Sequence, residues 1–313
     1  MEMDYIYGPV PSRRLGRSLG IDPLPSKTCN YQCIYCQLGR TTNFTNERRN
    51  YCLKKDILNE IETVLNDETQ EFDYLTFVGS GEPTLYKDLG ELVQFSKQRT
   101  KKPICVITNG SLLSNQDVRE DLFDVDLVLP TLDASNEKTF RLINRPHPQI
   151  TFNKLVQGFL DFKNSYSKKF WIEIMLVRDV NDSKEEILGI KRLLDKIQPQ
   201  RIDINVPIRP PTEDWVKIPK KSVLTLLDEV FGEYENINFP EMGTFGKFSA
   251  EFEKELLAII ERHPMREEQI VKTFQTSELT ESDILSRLNL LNEESIIKKI
   301  EYQGKIFWKL NEP

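Results

Sequence analysis

The chain is short of several residue types on which common chemistries depend. Among 313 residues there are two histidines, His147 and His263, far apart and without ligand spacing. Five cysteines are too few for a disulfide scaffold of this size. Long apolar runs are missing too: LLAII at 256–260 falls far short of the ~20 residues a membrane-spanning helix requires. The start, MEMDYIYGPVPSRR, lacks the apolar stretch of a secretory leader, so a cytoplasmic location is expected, where thiols stay reduced. Positive charge is also in deficit. With 42 Lys and Arg against 49 Asp and Glu the net charge is −7, which argues against a broad, sequence-independent grip on nucleic acid. The basic stretches SRRLGR (12–17), NERRN (46–50) and KQRTKK (97–102) read first as solvated faces.

What is present is a soluble core-forming composition, 39% hydrophobic and 29% charged, at a length suited to one barrel-sized domain with an appendage. From about residue 17 to about 235, short β-rich runs alternate with amphipathic, helix-length segments. Strands are expected near 17–23, 73–80, 103–109, 126–133, 170–177 and 201–208. Between them, 54–67 places Ile57, Ile61, Val64 and Leu65 on one helical face, and 183–197 does the same with Ile187, Ile190, Leu193 and Leu194. Six such βα repeats make an open doubly wound sheet or a partial barrel. In either architecture chemistry gathers at the C-terminal strand ends. Those ends carry CNYQCIYC, GSGEPTL, TNGS, TLDAS and PIRPP.

CNYQCIYC sets Cys29, Cys33 and Cys36 on one short loop, spaced to wrap three thiolates around a small metal centre. Three is one fewer than a closed structural site needs. A zinc knuckle would have to recruit Cys52, since Cys105 falls mid-strand. The other reading is a 4Fe–4S cluster with one iron left open for a cosubstrate.

C-x3-C-x-aromatic-C, with Tyr35 as the aromatic, at the end of the first strand of a βα repeat, resembles the radical S-adenosylmethionine (SAM) superfamily. The resemblance implies an α/β fold, a partial (βα)6 barrel. It also implies a 4Fe–4S cluster whose open iron chelates the methionine part of SAM, and reductive cleavage to methionine and a 5′-deoxyadenosyl radical. A flavodoxin- or ferredoxin-type reductant protein is implied as electron donor. GSGEPTL resembles the family's Gly-Gly-Glu motif, with Ser80 in its second position. By that resemblance Gly79, Ser80, Gly81, Glu82 and the adjoining Pro83 form the loop that holds the methionine ammonium group, Glu82 supplying the carboxylate. Gly79 and Gly81 are expected to let the backbone approach a ligand closely. Asn109, Thr131 and Asp133 can present polar groups to the same ligand, or serve as turn and cap residues. The family's glycine-rich adenine motif is not evident in VRDVNDS (177–183).

The stretches YGPVPSRRLGRSLGID, TLDASNEKTFRLINRPHP and INVPIRPP resemble a radical SAM group related to the wyosine-type tRNA base synthases, over roughly the first 240 residues. Cys52 and Cys105 are too few for the second cluster those synthases carry, so the wyosine reaction itself does not transfer. RNA, a peptide or a small metabolite remain open as substrates, as does a non-catalytic iron–sulfur or zinc scaffold. Arg13, Arg14, Arg145 and Arg209 could form an anion-binding rim, or simply pair with acidic side chains. Residues 1–240 are expected to form the barrel domain, 239–250 a linker, and 251–313 a winged helix–turn–helix-like domain with Pro264 ending its first helix, Thr280 or Ser282 capping its third and a turn at Gln303–Gly304. The third helix carries Glu281, Asp283, Glu293 and Glu294 against Arg287, which speaks against a nucleic-acid reader and makes a protein- or peptide-binding module, or a lid over the barrel, at least as good a reading. Lys298, Lys299, Lys305 and Lys309 in the hairpin keep a phosphate contact open.

Overall fold

The computed structural model describes residues 4–67, 70–239, 241, 243, 245–246 and 251–311; most of the expected linker lies outside the described residues. The chain begins with β1 (Ile6–Ser12) and β2 (Gly16–Ile21), followed by the short parallel pair β3 (Thr28–Cys29) and β4 (Asn43–Phe44). Six further strands extend the sheet: β5 (Tyr74–Phe77), β6 (Ile104–Thr108), β7 (Leu127–Pro130), β8 (Lys169–Met175), β9 (Arg201–Asn205) and the two-residue β10 (Glu235–Asn236). The eight strands lie in the order β1-β2-β5-β6-β7-β8-β9-β10 and curl into a half-barrel, parallel throughout except for β1. An α/β partial barrel is therefore what the chain forms.

Helices α1 (Lys54–Leu65), α2 (Leu89–Lys97), α3 (Gln116–Asp121), α4 (Glu137–Ile143), α5 (Phe152–Ser165), α6 (Lys184–Ile197) and α7 (Ser222–Phe231) connect the strands. Helix α6 shows why the local sequence folds so. Ser183 caps it by accepting from the Glu186 backbone N–H, Ile187, Ile190, Leu194 and Ile197 are buried, and it stops at the left-handed Gln198. In α1, Ile57, Ile61 and Val64 are buried while Leu65 is only half-buried. Strands β6 and β7 are buried along nearly their whole length, as sheets covered on both faces must be.

The antiparallel β1–β2 hairpin was not expected from the sequence, and it matters for the site. Its turn turns inward: Leu15 packs with Cys105, Leu127 and Leu129, closing one end of the half-barrel. That carries Arg13 and Arg14 into the interior.

The C-terminal segment comprises α8 (Phe252–Ile260), β11 (Met265–Arg266), α9 (Glu267–Phe274), α10 (Glu281–Glu293), β12 (Ile297–Tyr302) and β13 (Lys305–Leu310). Its strands form a separate antiparallel sheet, β11-β13-β12, over an apolar cluster that includes Leu256, Ile270, Leu288 and Trp308 and extends to Tyr7 and Val10 of β1. Thr280 caps α10 in a reciprocal pair with Asp283, and Gln303 and Gly304, both at positive φ, make the hairpin turn. The hairpin tip docks on the barrel: the Tyr302 hydroxyl and the Gln303 amide donate to the Pro207 carbonyl at 2.7 and 3.0 Å. Among the described residues no helix is long and apolar enough to cross a membrane.

Candidate active site

A cavity of about 340 Å³ opens at the C-terminal strand ends and runs into the half-barrel. Cys29, Cys33 and Cys36 line it together with Tyr35, Gly79, Ser80, Gly81, Glu82, Asn109 and Thr131. The loop bearing the thiols is held by backbone pairing with a segment more than a hundred residues away. Gln32 N–H donates to the Asn144 and Arg145 carbonyls at 3.1 and 3.2 Å, Ile34 N–H to Ile143 at 3.0 Å, and His147 N–H to Asn30 at 2.8 Å.

Amide groups surround the sulfurs. The Tyr31 N–H and the Asn109 side chain donate to Cys29 Sγ at 3.4 and 3.9 Å, and the Asn144 side chain donates to Cys33 Sγ at 3.6 Å. Such donors are what stabilises thiolate ligands and sets the potential of an iron–sulfur centre. Burial, and next the charge of Glu82, pushes the Cys29 thiol up to about 12; burial likewise raises Cys33. These thiols are neutral until a cation replaces their protons.

A further sign points the same way. Tyr31 is 3% exposed and lines the cavity, yet its hydroxyl has no hydrogen-bond partner among the described residues. A buried hydroxyl left unpaired costs about 1–3 kcal/mol, so it marks a wall that a bound group completes. Three thiols and this hydroxyl fit an iron–sulfur cluster. A four-cysteine zinc site is not assembled: Cys52 sits beside the Tyr5 hydroxyl, and Cys105 is buried in β6. Among the described residues no three His, Cys, Asp or Glu side chains converge as one metal ion would require.

Glu82 is 2% exposed and knits the second strand end to the third. Its Oε1 accepts from the Thr84 N–H and hydroxyl and from the Thr108 hydroxyl, at 3.1, 2.6 and 2.6 Å, while Oε2 accepts from Asn109 N–H at 2.6 Å. Burial raises its pKa, against the pull of these donors. Oε2 keeps one lone-pair direction for a further donor.

Several expectations need correction. At Gly79 and Gly81 the protein itself already requires glycine: a Cβ would lie 2.0 Å from the Asp22 carboxylate at Gly79 and 2.0 Å from the Thr28 carbonyl oxygen at Gly81, while both residues also line the cavity. Asp22 in turn accepts from the Ser80 N–H and hydroxyl at 2.9 and 2.8 Å, pinning the loop. Pro83 begins a buried 3-10 turn behind the cavity. Asp133 also lies behind the wall, where it accepts from the Tyr35 hydroxyl, the Asn144 amide and the Met175 N–H; burial pushes its pKa up to about 7. It orients Tyr35 and Asn144 rather than facing a ligand. In place of a glycine motif after the fifth parallel strand, the buried Asn181 donates to the Asp133 and Met175 carbonyls.

The arginines divide. Arg145 lies outside the cavity wall and pairs with Glu213; its backbone, not its guanidinium, supports the cysteine loop. Arg13, Arg14 and Arg209 line the inner end, with Glu241, Glu173 and again Glu241 as partners. Glu173, Asn205, Glu241, Arg262 and His263 also line it, and none had a motif to mark it. His263 comes from the loop after α8, where Arg209 donates to its Nε2 at 2.9 Å. Arg262 donates to Asp22 at 3.2 Å, so the C-terminal segment reaches the very carboxylate that holds Ser80.

Residues 24–189 match the radical SAM superfamily. A UPF0026 protein of Methanocaldococcus jannaschii is 38% identical over 317 residues, which is 99% of this chain and 97% of that protein. Among solved structures, a radical SAM methyltransferase from Sphaerobacter thermophilus matches with a TM-score of 0.52 at 14% identity, over 70% of this chain and 64% of that one. SuiB of Streptococcus suis bound to S-adenosylmethionine gives 0.51 at 17%, over 72% of this chain and 50% of that one. These two likenesses concern the fold. Sequence match, half-barrel and cysteine-lined cavity agree: the chain is a UPF0026-type member of the radical SAM superfamily, an enzyme that works with a 4Fe–4S cluster and S-adenosylmethionine.

Proposed function

We propose that Cys29, Cys33 and Cys36 hold the cluster through three irons and that Glu82, through the open side of Oε2, accepts a hydrogen bond from the ammonium group of SAM. Cluster and cosubstrate together supply one-electron cleavage of the sulfonium, and with it a 5′-deoxyadenosyl group that abstracts hydrogen from the substrate. The chain's own residues position and shield. Asn109 and Asn144 donate to the ligand sulfurs, and the Tyr31 hydroxyl is free to do the same toward the bound cluster. Asp22 fixes the backbone of 79–82 from behind, while Tyr35 and Thr131 border the cosubstrate's space.

Residues 251–311 act in this reading as a lid. What supports it is that Arg262 and His263 form part of the cavity wall while the β12–β13 tip is tied to Pro207. The acidic α10 gives no complementary reason to assign the segment to nucleic acid. The enzyme would work in the cytoplasm with a flavodoxin- or ferredoxin-type reductant. An RNA base is the narrower form of the substrate proposal, supported by the resemblance to wyosine-type synthases and opposed by the net charge of −7.

The observation that carries the proposal is one cavity lined by three thiols, by Glu82 and by a hydroxyl that has no partner among the described residues. Anaerobically reconstituted protein given dithionite and SAM is expected to release 5′-deoxyadenosine. A cluster with four protein ligands and no response to SAM would overturn it. Comparison of modified nucleosides with and without the gene tests the RNA form, which falls if no nucleoside changes.

A further inference from the structure

The inner end of the cavity carries more positive than negative charge. Arg13, Arg14 and Arg209 face Glu173 and Glu241, three guanidiniums to two carboxylates, and none of the five side chains is more than 15% exposed. The neighbouring charges are already matched: Arg262 pairs with Asp22, Arg201 with Asp203 and Arg266 with Glu268. His263 adds no charge. Burial, and then Arg209, hold its pKa near 3, and as a neutral ring it accepts from Arg209. A buried excess charge is costly unless something of opposite sign meets it.

The donors give the direction. Arg13 uses Nη1 twice, on Asn205 Oδ1 at 2.8 Å and on the Ile237 carbonyl at 2.5 Å. Arg14 uses Nε and Nη2 on Glu173, and Arg209 uses Nη1 on Gln37 and Nη2 on Glu241 and His263. Among the described residues, Nη2 of Arg13, Nη1 of Arg14 and Nε of Arg209 therefore have no hydrogen-bond acceptor, although all three residues border the same cavity. Gln37, which Arg209 holds at 2.6 Å, directly follows Cys36, so this end adjoins the cysteine loop.

We infer that the three arginines form an oxyanion subsite for the substrate: a carboxylate or phosphate group takes the unused donors of Arg13, Arg14 and Arg209 and neutralises the excess charge. Glu173 and Glu241 hold the guanidiniums in place, and His263 contributes a neutral wall. Only the word substrate rests on the proposed radical chemistry; the subsite itself rests on charge and donors.

The test is calorimetric titration of inorganic phosphate and, separately, of acetate into the cluster-loaded enzyme saturated with SAM, at low ionic strength. One site per chain is expected, weakened at least about tenfold by Arg13→Gln and by Arg209→Gln, since each removes charge-assisted hydrogen bonds. Arg209→Lys, which retains charge with a different donor geometry, should fall between and covers the case in which a glutamine variant does not fold. Arg17→Gln, on the exposed pair with Glu71, should change nothing. Tighter phosphate than acetate assigns the subsite to a phosphate-bearing substrate, and the reverse to a carboxylate. No binding by the wild type, equal binding by both glutamine variants, or displacement of the anion by SAM overturns the inference. Absent anion binding with intact SAM cleavage sinks the subsite alone; intact anion binding without cleavage sinks the radical proposal alone.

Discussion

The two ends of the cavity are built on opposite plans. At the cysteine end the reactive groups are three thiols from eight consecutive residues, and the groups that donate to their sulfurs are neutral amides: the Tyr31 N–H and the side chains of Asn109 and Asn144. At the inner end they come from the β1–β2 turn, from β8, from the segment after β9, from Glu241 and from the loop after α8, and their surroundings are charges. The difference teaches that chemistry concentrated in one loop can be recognised by spacing. A site assembled by convergence leaves only single residues, each of which reads alone as an ordinary surface pair.

Breaking the local end should have the largest effect. Cys33→Ala is expected to abolish 5′-deoxyadenosine release and the visible absorbance of the cluster; retention of either would show that a three-thiol site is not what the loop builds. Next comes the tie between the two parts of the chain. Arg262→Ala leaves the 1%-exposed Asp22 without its guanidinium, and a loss of about 3 kcal/mol in urea unfolding is expected, as for other broken buried pairs. An unchanged midpoint would mean that the C-terminal segment does not brace the Ser80 loop. Glu82→Ala strands the Thr84 and Asn109 N–H groups and the Thr108 hydroxyl, so about 2 kcal/mol should be lost, with SAM affinity falling in parallel. Glu82→Gln, which keeps one acceptor, should lie between.

The charged end should reveal itself in acid. Burial raises Glu241, but Arg209, His263 once it is protonated in acid, and Arg13 outweigh it and bring its pKa to about 2, below the ordinary carboxylate value near 4.3. His263 near 3 lies below its ordinary 6.5. Both groups take up protons in the unfolded chain before they do in the folded one. Their contribution is thus complete above pH 6.5 and is lost as pH falls, first through His263 and then through Glu241. Chemical denaturation between pH 7 and 3 is expected to show falling stability, with a flatter profile in His263→Gln; a parallel profile would place the acid response elsewhere. The smallest effect belongs to Tyr31→Phe. Removing a hydroxyl that has no partner among the described residues should not destabilise the cluster-free protein, while the loaded cluster should become harder to reduce, measurable by a potentiometric titration. If the cluster-free variant melts earlier, the hydroxyl has a partner within the chain.

Periodicity identified six of the parallel strands, β2 and β5 to β9, and most of the buried face of α6, because a strand covered on both sides must be apolar and a helix against it must repeat every three to four residues; the two-residue strands β3, β4 and β10 are too short to show a period. It missed the β1–β2 hairpin, since a glycine- and arginine-rich stretch has no apolar alternation to betray an inward turn. The two glycines of GSGE were expected to let the backbone approach a ligand; the neighbours that require glycine there are Asp22 and Thr28, a relation between distant residues. Asp133 and Arg145 were placed near the site but given the wrong faces. The first serves Tyr35 and Asn144, and the second serves the cysteine loop through its backbone.

What the amino-acid order alone carried is the three-thiol loop and, through its resemblance to the radical SAM superfamily, the catalytic class: three cysteines at that spacing, at that strand end, lie within one loop short enough to be recognised without the fold. What only the tertiary structure decided is the rest of the cavity. Which arginines keep unused donors, which histidine is a wall and which carboxylate pins the glutamate loop depend on how the hairpin turns inward and how the C-terminal segment closes over the half-barrel. Those are long-range contacts, and no local propensity encodes them.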